Sequence, residues 1–292
     1  MRKYYLILLA HFYSLFVLLS GCTENPFSKD ETISGNRVIR GKVELNDGVI
    51  PNNIHVWLES MDVSSRTDDK GDFQLTLPPP LKQLGGGLNG VYKLYFFVAN
   101  YGLDSAKVLI RNGHVEYSQH DIDERGGLRE NPCLFKLLDI TTTVSPSTVT
   151  ANFSDTISIS LTLQAIRDAV YVTLPKMNLD VPKGRKDLLS AIFMKKVNSN
   201  ENLVNKIHNG GEVERDYKIG NIPQQWLLNF IYEKGMFAPG DYQAIPYLLI
   251  QHRYLPRGLL KSLGEGIEDF GADYLNIPLK QKGGEFHVLS NH

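Results

Sequence analysis

Cysteine is nearly absent from this chain of 292 residues: only Cys22 and Cys133 are present. At most one disulfide could form, so stability must come from apolar packing, for which a hydrophobic content of 42% is ample. An excess of positive charge is also missing. Thirty-one basic residues face 32 acidic ones, the net charge is −1, and no basic run or basic–aromatic stripe occurs. Electrostatics therefore give no reason to expect nucleic-acid binding. The familiar catalytic spacings H-x-x-E, H-E-x-x-H, C-x-x-C and G-x-S-x-G are absent as well, which removes the usual routes to a metal-bound water or an activated nucleophile. No catalytic residue, metal or cofactor is expected. The longest apolar stretch, Tyr4 to Leu19, is shorter than the roughly 20 residues of a membrane-spanning helix and is interrupted by His11 and Ser14.

What stands at the N-terminus has a different logic. Arg2 and Lys3 precede that apolar stretch, and Ser20 and Gly21 follow it just before Cys22. A charged, an apolar and a small-residue zone in that order read as a secretory leader with a processing site. The tetrapeptide Leu19-Ser20-Gly21-Cys22 resembles the bacterial lipobox. That resemblance implies cleavage after residue 21 and lipidation of Cys22, with two or three acyl chains giving a firm anchor where one would hold marginally. Residues 1–21 are thus expected to be a signal peptide and 22–35 a lipidated cysteine with a polar tether. The alternative is a plain signal peptide or an uncleaved anchor. Thr23 stands where aspartate often marks inner-membrane retention, so an outer membrane is favoured if the cell has two. Cys133, in Asn-Pro-Cys-Leu-Phe, is expected to act as a small core hydrophobe.

From Asn36 the texture changes to short alternating segments broken by Gly, Pro, Asn and Asp. Ile39, Gly41, Val43 and Leu45 alternate with Arg40, Lys42 and Glu44; Ile54, Val56 and Leu58 alternate with His55, Trp57 and Glu59. Period two gives each strand one buried and one wet face. Val91 to Asn100 is apolar on both faces and reads as a central strand, while Asn112-Gly113 predicts a two-residue hairpin turn. About seven strands at this spacing predict an antiparallel sandwich over 36–139.

The G-x-V opening at Gly41/Val43, the segment from Ile50 to Leu58, the Thr67-Asp68…Gly71…Phe73 hairpin and Gly90/Tyr92 occur in the order found in the carboxypeptidase regulatory-like domain, which this region, about 37–118, resembles. The resemblance implies a transthyretin-like β-sandwich and a non-catalytic module that serves as a folding aid, spacer or adhesion unit.

A second β-rich unit is expected over 140–292. Ile157, Ile159, Leu161 and Leu163 alternate with Ser158, Ser160, Thr162 and Gln164. Gly240 stands two residues before Tyr242, as at the tyrosine corner of immunoglobulin-type sandwiches. Leu188, Leu189, Ile192, Phe193 and Val197 suit a short helix, with Gly210-Gly211 as a stop after a second helical stretch; Gln224 to Tyr232 suits strand or helix equally. The expected class is mainly β: two antiparallel sandwiches, transthyretin-like then Ig-like, the latter with short helical insertions.

Weak signals remain. Gly85, Gly87 and Gly90 satisfy G-x-G-x-x-G, but prolines precede them and a strand follows, so a loop is expected rather than a dinucleotide site. Asp68 to Asp72 and the Asp121/Asp123/Glu124 run lack calcium-loop spacing and read as turns. Trp57 should lie on the non-core face of its strand, where it could stack on a sugar or a partner, or pack against the next domain. Trp226, with Phe230 and Tyr232, could form an aromatic contact surface. These expectations favour a membrane-anchored interaction or scaffold protein with an envelope protein or glycan as partner. A glycan- or peptide-binding lipoprotein is the alternative, and an enzyme with an unfamiliar site is a third possibility that converging carboxylates in a cleft would signal.

Overall fold

A computed structural model describes residues 36–177, 191–199 and 212–290. The leader, the lipidation at Cys22 and the tether that the sequence leads one to expect lie outside the described residues. The fold is mainly β, built as two β-sandwiches.

The first sandwich contains β1 (Val38–Lys42), β2 (Glu44–Leu45), β3 (His55–Leu58), β4 (Val63–Arg66), β5 (Asp72–Thr76), β6 (Gly90–Phe97), β7 (Asp104–Arg111), β8 (His114–Val115) and β9 (Cys133–Leu134). A five-stranded sheet in the order β4-β3-β6-β7-β8 faces the antiparallel pair β1-β5. The alternation read from sequence sorts the side chains: Ile39, Phe73 and Leu75 from the pair meet Val56, Leu94, Phe96 and Val108 from the sheet, all buried. Each such side chain contributes about 1.5–3 kcal/mol by leaving water. β6 is central, as its two apolar faces predict. Asn112 and Gly113 turn β7 into β8 with φ of 49° and 78°, the doubly left-handed turn that the Asn-Gly pair favours.

The Thr67–Phe73 stretch differs from the expected hairpin. β4 pairs with β3 and β5 pairs with β1, so the turn between them carries the chain from one sheet to the other. Asp68 Oδ1 accepts the Lys70 and Asp72 amides, each at 2.9 Å, and Gly71 has φ +85° with Val43 O only 2.2 Å from where a Cβ would be. Cys133 is half-buried with a free thiol, and its neighbour Leu134 enters the core.

The second sandwich contains β10 (Leu138–Ser145), β11 (Thr148–Thr150), β12 (Asp155–Ala165), β13 (Val170–Met177), β14 (Ile192–Lys196), β15 (Glu212–Ile219), β16 (Gln224–Tyr232), β17 (Gly240–Pro246), β18 (Leu249–Ile250), β19 (Lys282–Gly283) and β20 (Glu285–Leu289). One sheet runs β16-β12-β10-β19 and the other β11-β20-β17-β14, with β15-β13-β18 continuing beside it. The first edge is shared between the sheets: β10 pairs antiparallel with β12, and β11 pairs parallel with β20. Ile157, Ile159, Leu161 and Leu163 point into the core, as their period requires. Tyr242 is buried and its hydroxyl donates to Ala238 O at 2.7 Å, which is the tyrosine corner the sequence suggested.

The expected helical insertions need correction. Ile192 to Lys196 is strand β14, antiparallel to β17, because both its faces are covered by β-sheet and by later chain rather than by one helix face. Gln224 to Tyr232 is a strand. Leu188, Leu189 and the stretch ending at Gly210-Gly211 lie outside the described residues. Among the described residues the only helical pieces are 3-10 turns of three to five residues.

Candidate functional site

The surface on which sequence pointed to a contact is the outer face of the five-stranded sheet. Strand alternation puts His55 and Trp57 of β3 there, beside Tyr95 and Phe97 of β6, their cross-strand partners. None of the four is exposed. Residues 251–281 leave the second sandwich after β18, cross this face as a strap, and return to β19. Leu259, Leu263 and Ile267 of the strap close over Trp57, Tyr95 and Phe97 as a separate apolar core. Trp57 is 5% exposed and stacks on Tyr95 at 5.9 Å. The strap's second half turns to the other sandwich, where Tyr274 lies parallel to Phe193 of β14 at 5.2 Å and Phe270 packs on the same ring.

Polar contacts fix both ends of the strap to the first sandwich. The His252 ring nitrogen Nε2 donates to Ala99 O at 2.7 Å, and the Ala99 amide donates to Pro278 O at 2.8 Å. Asn100, fully buried, donates to Leu138 O and Lys280 O and accepts the Lys280 amide, so one side chain joins the start of β10 to the end of the strap. Arg66 donates to Asn276 O at 2.7 Å, and Lys280 Nζ reaches Asn52. The Tyr274 hydroxyl donates to Leu248 O and accepts the Leu248 amide, which satisfies the backbone where β17 breaks before β18.

An ion cluster holds the chain between the sandwiches. Lys136 pairs with Asp47, and with Asp139 at 3.0 Å; Lys282 approaches Asp139 at 3.7 Å, and the Tyr101 hydroxyl donates to Asp47 at 2.9 Å. Burial works to raise the Asp47 carboxyl, but hydrogen bonds from Lys136 and Tyr101 hold it below the usual carboxylate range. Burial works to lower the Lys136 ammonium, yet its two carboxylate partners keep it above its ordinary value. The boundary expected at 139/140 thus falls inside the paired strand β10, beside anchored charge.

His55 and Ser262 are arranged like a base and a nucleophile. His55 Nε2 lies 2.8 Å from Ser262 Oγ. Ser262, however, donates its proton to Leu259 O at 2.6 Å, so Nε2 carries a proton and donates to Oγ. Nδ1 is buried with no hydrogen-bond partner among the described residues. A nucleophilic pair needs the opposite proton direction and a group orienting the far ring nitrogen. Burial, with the neighbouring Arg66 charge adding to it, pushes the imidazole down to about 3, so it is neutral at pH 7. The pair ties the strap to the sheet.

A cavity of about 330 Å³ opens beside the strap between the two sandwiches, lined by Asn53, Lys195, Gln243, Tyr274, Gln281 and Glu285 among others. The Oε1 of Gln281 is buried there with no hydrogen-bond partner among the described residues. Three amides, two unlike charges and a phenol ring can hold a small polar molecule by hydrogen bonds.

Trp226 is 3% exposed, with its ring edge-on to Tyr217 at 5.4 Å, and Phe230 and Tyr232 share the same core. The proposed aromatic surface on the second sandwich is therefore interior, because β16 points these alternate residues inward. The acidic runs serve their own backbones: Asp123 Oδ1 accepts the Arg125 and Gly127 amides, and Asp121 the Lys107 amide. Among the described residues no three His, Cys, Asp or Glu side chains converge as a metal site. Gly85 lies in the 3-10 turn Leu84–Gly86, Gly87 is in the loop that follows, and Gly90 opens β6. Sequence reasoning placed Trp57 on the right face and offered packing against the next domain as one reading, which the strap supplies, but it did not identify the covering segment. Only the run of leucines from Leu255 to Leu263 hinted at that cover.

No protein-family model matches the chain, and no curated protein sequence matches it. A solved structure of the major pilin subunit of Bacillus cereus is similar over 71% of this chain and 62% of that one, at 11% identity and a TM-score of 0.24. The chain thus spans less than two thirds of that protein's length, and a likeness at that score says nothing of this chain's activity.

Proposed function

We propose that the chain is a bacterial envelope lipoprotein, anchored through a lipidated Cys22, that works as a non-enzymatic interaction or scaffold protein. The observation that supports this reading most directly is the strap. One 31-residue segment, 251–281, spreads an apolar core over the first sandwich and an aromatic one over the second. A chain that joins two β-sandwiches through packed side chains holds them at a fixed spacing, which suits a spacer presenting surfaces to a partner. The first sandwich is proposed to be a carboxypeptidase regulatory-like module, a non-catalytic unit. If the cell has two membranes, Thr23 favours the outer one.

Labelling cells with an alkyne fatty acid tests the anchor. The wild type takes the tag and Cys22→Ser does not; a tag retained by Cys22→Ser removes the lipoprotein reading. Crosslinking in envelopes followed by purification tests the scaffold role, with a defined envelope protein recovered at constant stoichiometry. The cavity of about 330 Å³ supports a second reading, capture of a small glycan or peptide. Protection of Lys195 from amine labelling by a glycan or peptide library fraction would favour it.

A further inference from the structure

An edge strand exposes a row of unpaired backbone groups, and chains guard such edges with charge, proline or brevity. This chain guards nearly all of its own. Among the described residues, the edge strands of four residues or more are β1, β4, β5, β14, β15 and β16. β1 carries Arg40 and Lys42, β4 ends in Arg66, β5 opens on Asp72, β14 carries Lys195 and Lys196, and β15 holds five charged residues in eight. The sixth, β16, is nine residues long and has neither charge nor proline. Among the described residues it pairs within its sheet on one side only, with β12.

We infer that Trp226 to Tyr232 of β16 is a self-association edge, which pairs antiparallel with the same segment of a second copy and joins the two four-stranded sheets into one. Neutrality is what a twofold axis demands, since any charge near the axis would meet its own image. The strand's alternation is also self-consistent. With Asn229 on the axis, Leu228 faces the partner's Phe230 and Trp226 faces its Tyr232, so inward residues meet inward ones. On the outer face Leu227 meets the partner's Ile231, a side chain that is 70% exposed in one copy. A shift by one residue would pair inward with outward positions, so only alternate registers are allowed. A second copy is favoured over a foreign strand because this outer row, Leu227-Asn229-Ile231, complements itself about Asn229 without any charge to select another partner. Seven paired residues bury less than the about 1,200 Å² of a standard interface, so the dimer belongs to the weak class.

The test uses the chain from Thr23 onwards, which keeps every strand of both sandwiches. Sedimentation equilibrium up to about 100 μM should show a monomer–dimer equilibrium. Asn229 is exposed, so Asn229→Lys preserves the core while setting two ammonium groups against each other across the axis. It should weaken the dimer at least about tenfold, as should Asn229→Glu, and mixing the two variants should restore a heterodimer. A wild type that stays monomeric at the highest concentration overturns the inference. So does a dimer that Asn229→Lys leaves unchanged, or two variants that fail to recover association when mixed.

Discussion

Acidification should loosen the strap before it unfolds either sandwich, and His55 is the group through which most of that sensitivity enters. Its folded imidazole lies near pH 3 against an ordinary 6.5, because burial under the strap disfavours the charged form and Arg66 adds to it. Between those values the unfolded chain binds a proton that the folded chain does not, so stability rises with pH across the window. The contribution is complete above about pH 6.5 and is lost as pH falls. At pH 4.5 the difference is about two pH units, or about 3 kcal/mol. His252, at the strap's start, is shifted the same way, since burial outweighs its bond to Ala99 O. The assay is hydrogen exchange of strap amides such as Leu259, Leu263 and Ile277 at about pH 7.5 and about pH 4.5, corrected for intrinsic rates. Protection should fall on acidification in the wild type. In His55→Gln, which keeps a donor near Ser262 but cannot titrate, the fall should be smaller by about 3 kcal/mol. An equal loss of protection in both proteins would refute the assignment to His55.

Three further outcomes follow from the same contacts. Lys136→Met leaves Asp47 without its cation and Asp139 with Lys282 alone, and should cost about 2 kcal/mol in urea unfolding at pH 7. The Asp47 carboxyl is depressed in the wild type, so its contribution is present above its ordinary 3.8 and lost as pH falls below it; the penalty of Lys136→Met should therefore shrink in acid. Tyr242→Phe deletes the hydroxyl that donates to Ala238 O and should lower stability by about 1–2 kcal/mol, without changing the strand content seen by circular dichroism. Limited proteolysis should cut first around Leu81 and Leu84, which are 93% and 77% exposed, and spare residues 134–152, which run through paired strands; initial cleavage inside 134–152 would contradict the anchored joint.

Local rules in the sequence determined the strands. The alternation at Ile157 to Leu163 fixed which face of β12 is buried, Asn112-Gly113 fixed a turn, and Gly240 with Tyr242 marked a corner whose hydrogen bond spans only four residues. Each depends on chain neighbours, so each could be read without knowing the rest of the fold. Ile192 to Lys196 could not, because its apolar residues fit one helix face as well as a strand covered on both sides, and the core of the second sandwich and the strap supply that cover. The same holds for the candidate site. Alternation put Trp57 on the outer face of its sheet, and outer faces normally meet water. Its burial depends on Leu259 and Leu263, some 200 residues away, and the hydrogen bonds of Ala99 and Asn100 to the strap span more than 150. Contacts of that separation leave no period in the sequence. The strap's path across the first sandwich was therefore decided by tertiary structure, where Leu259, Leu263 and Ile267 leave water by packing on Trp57, Tyr95 and Phe97.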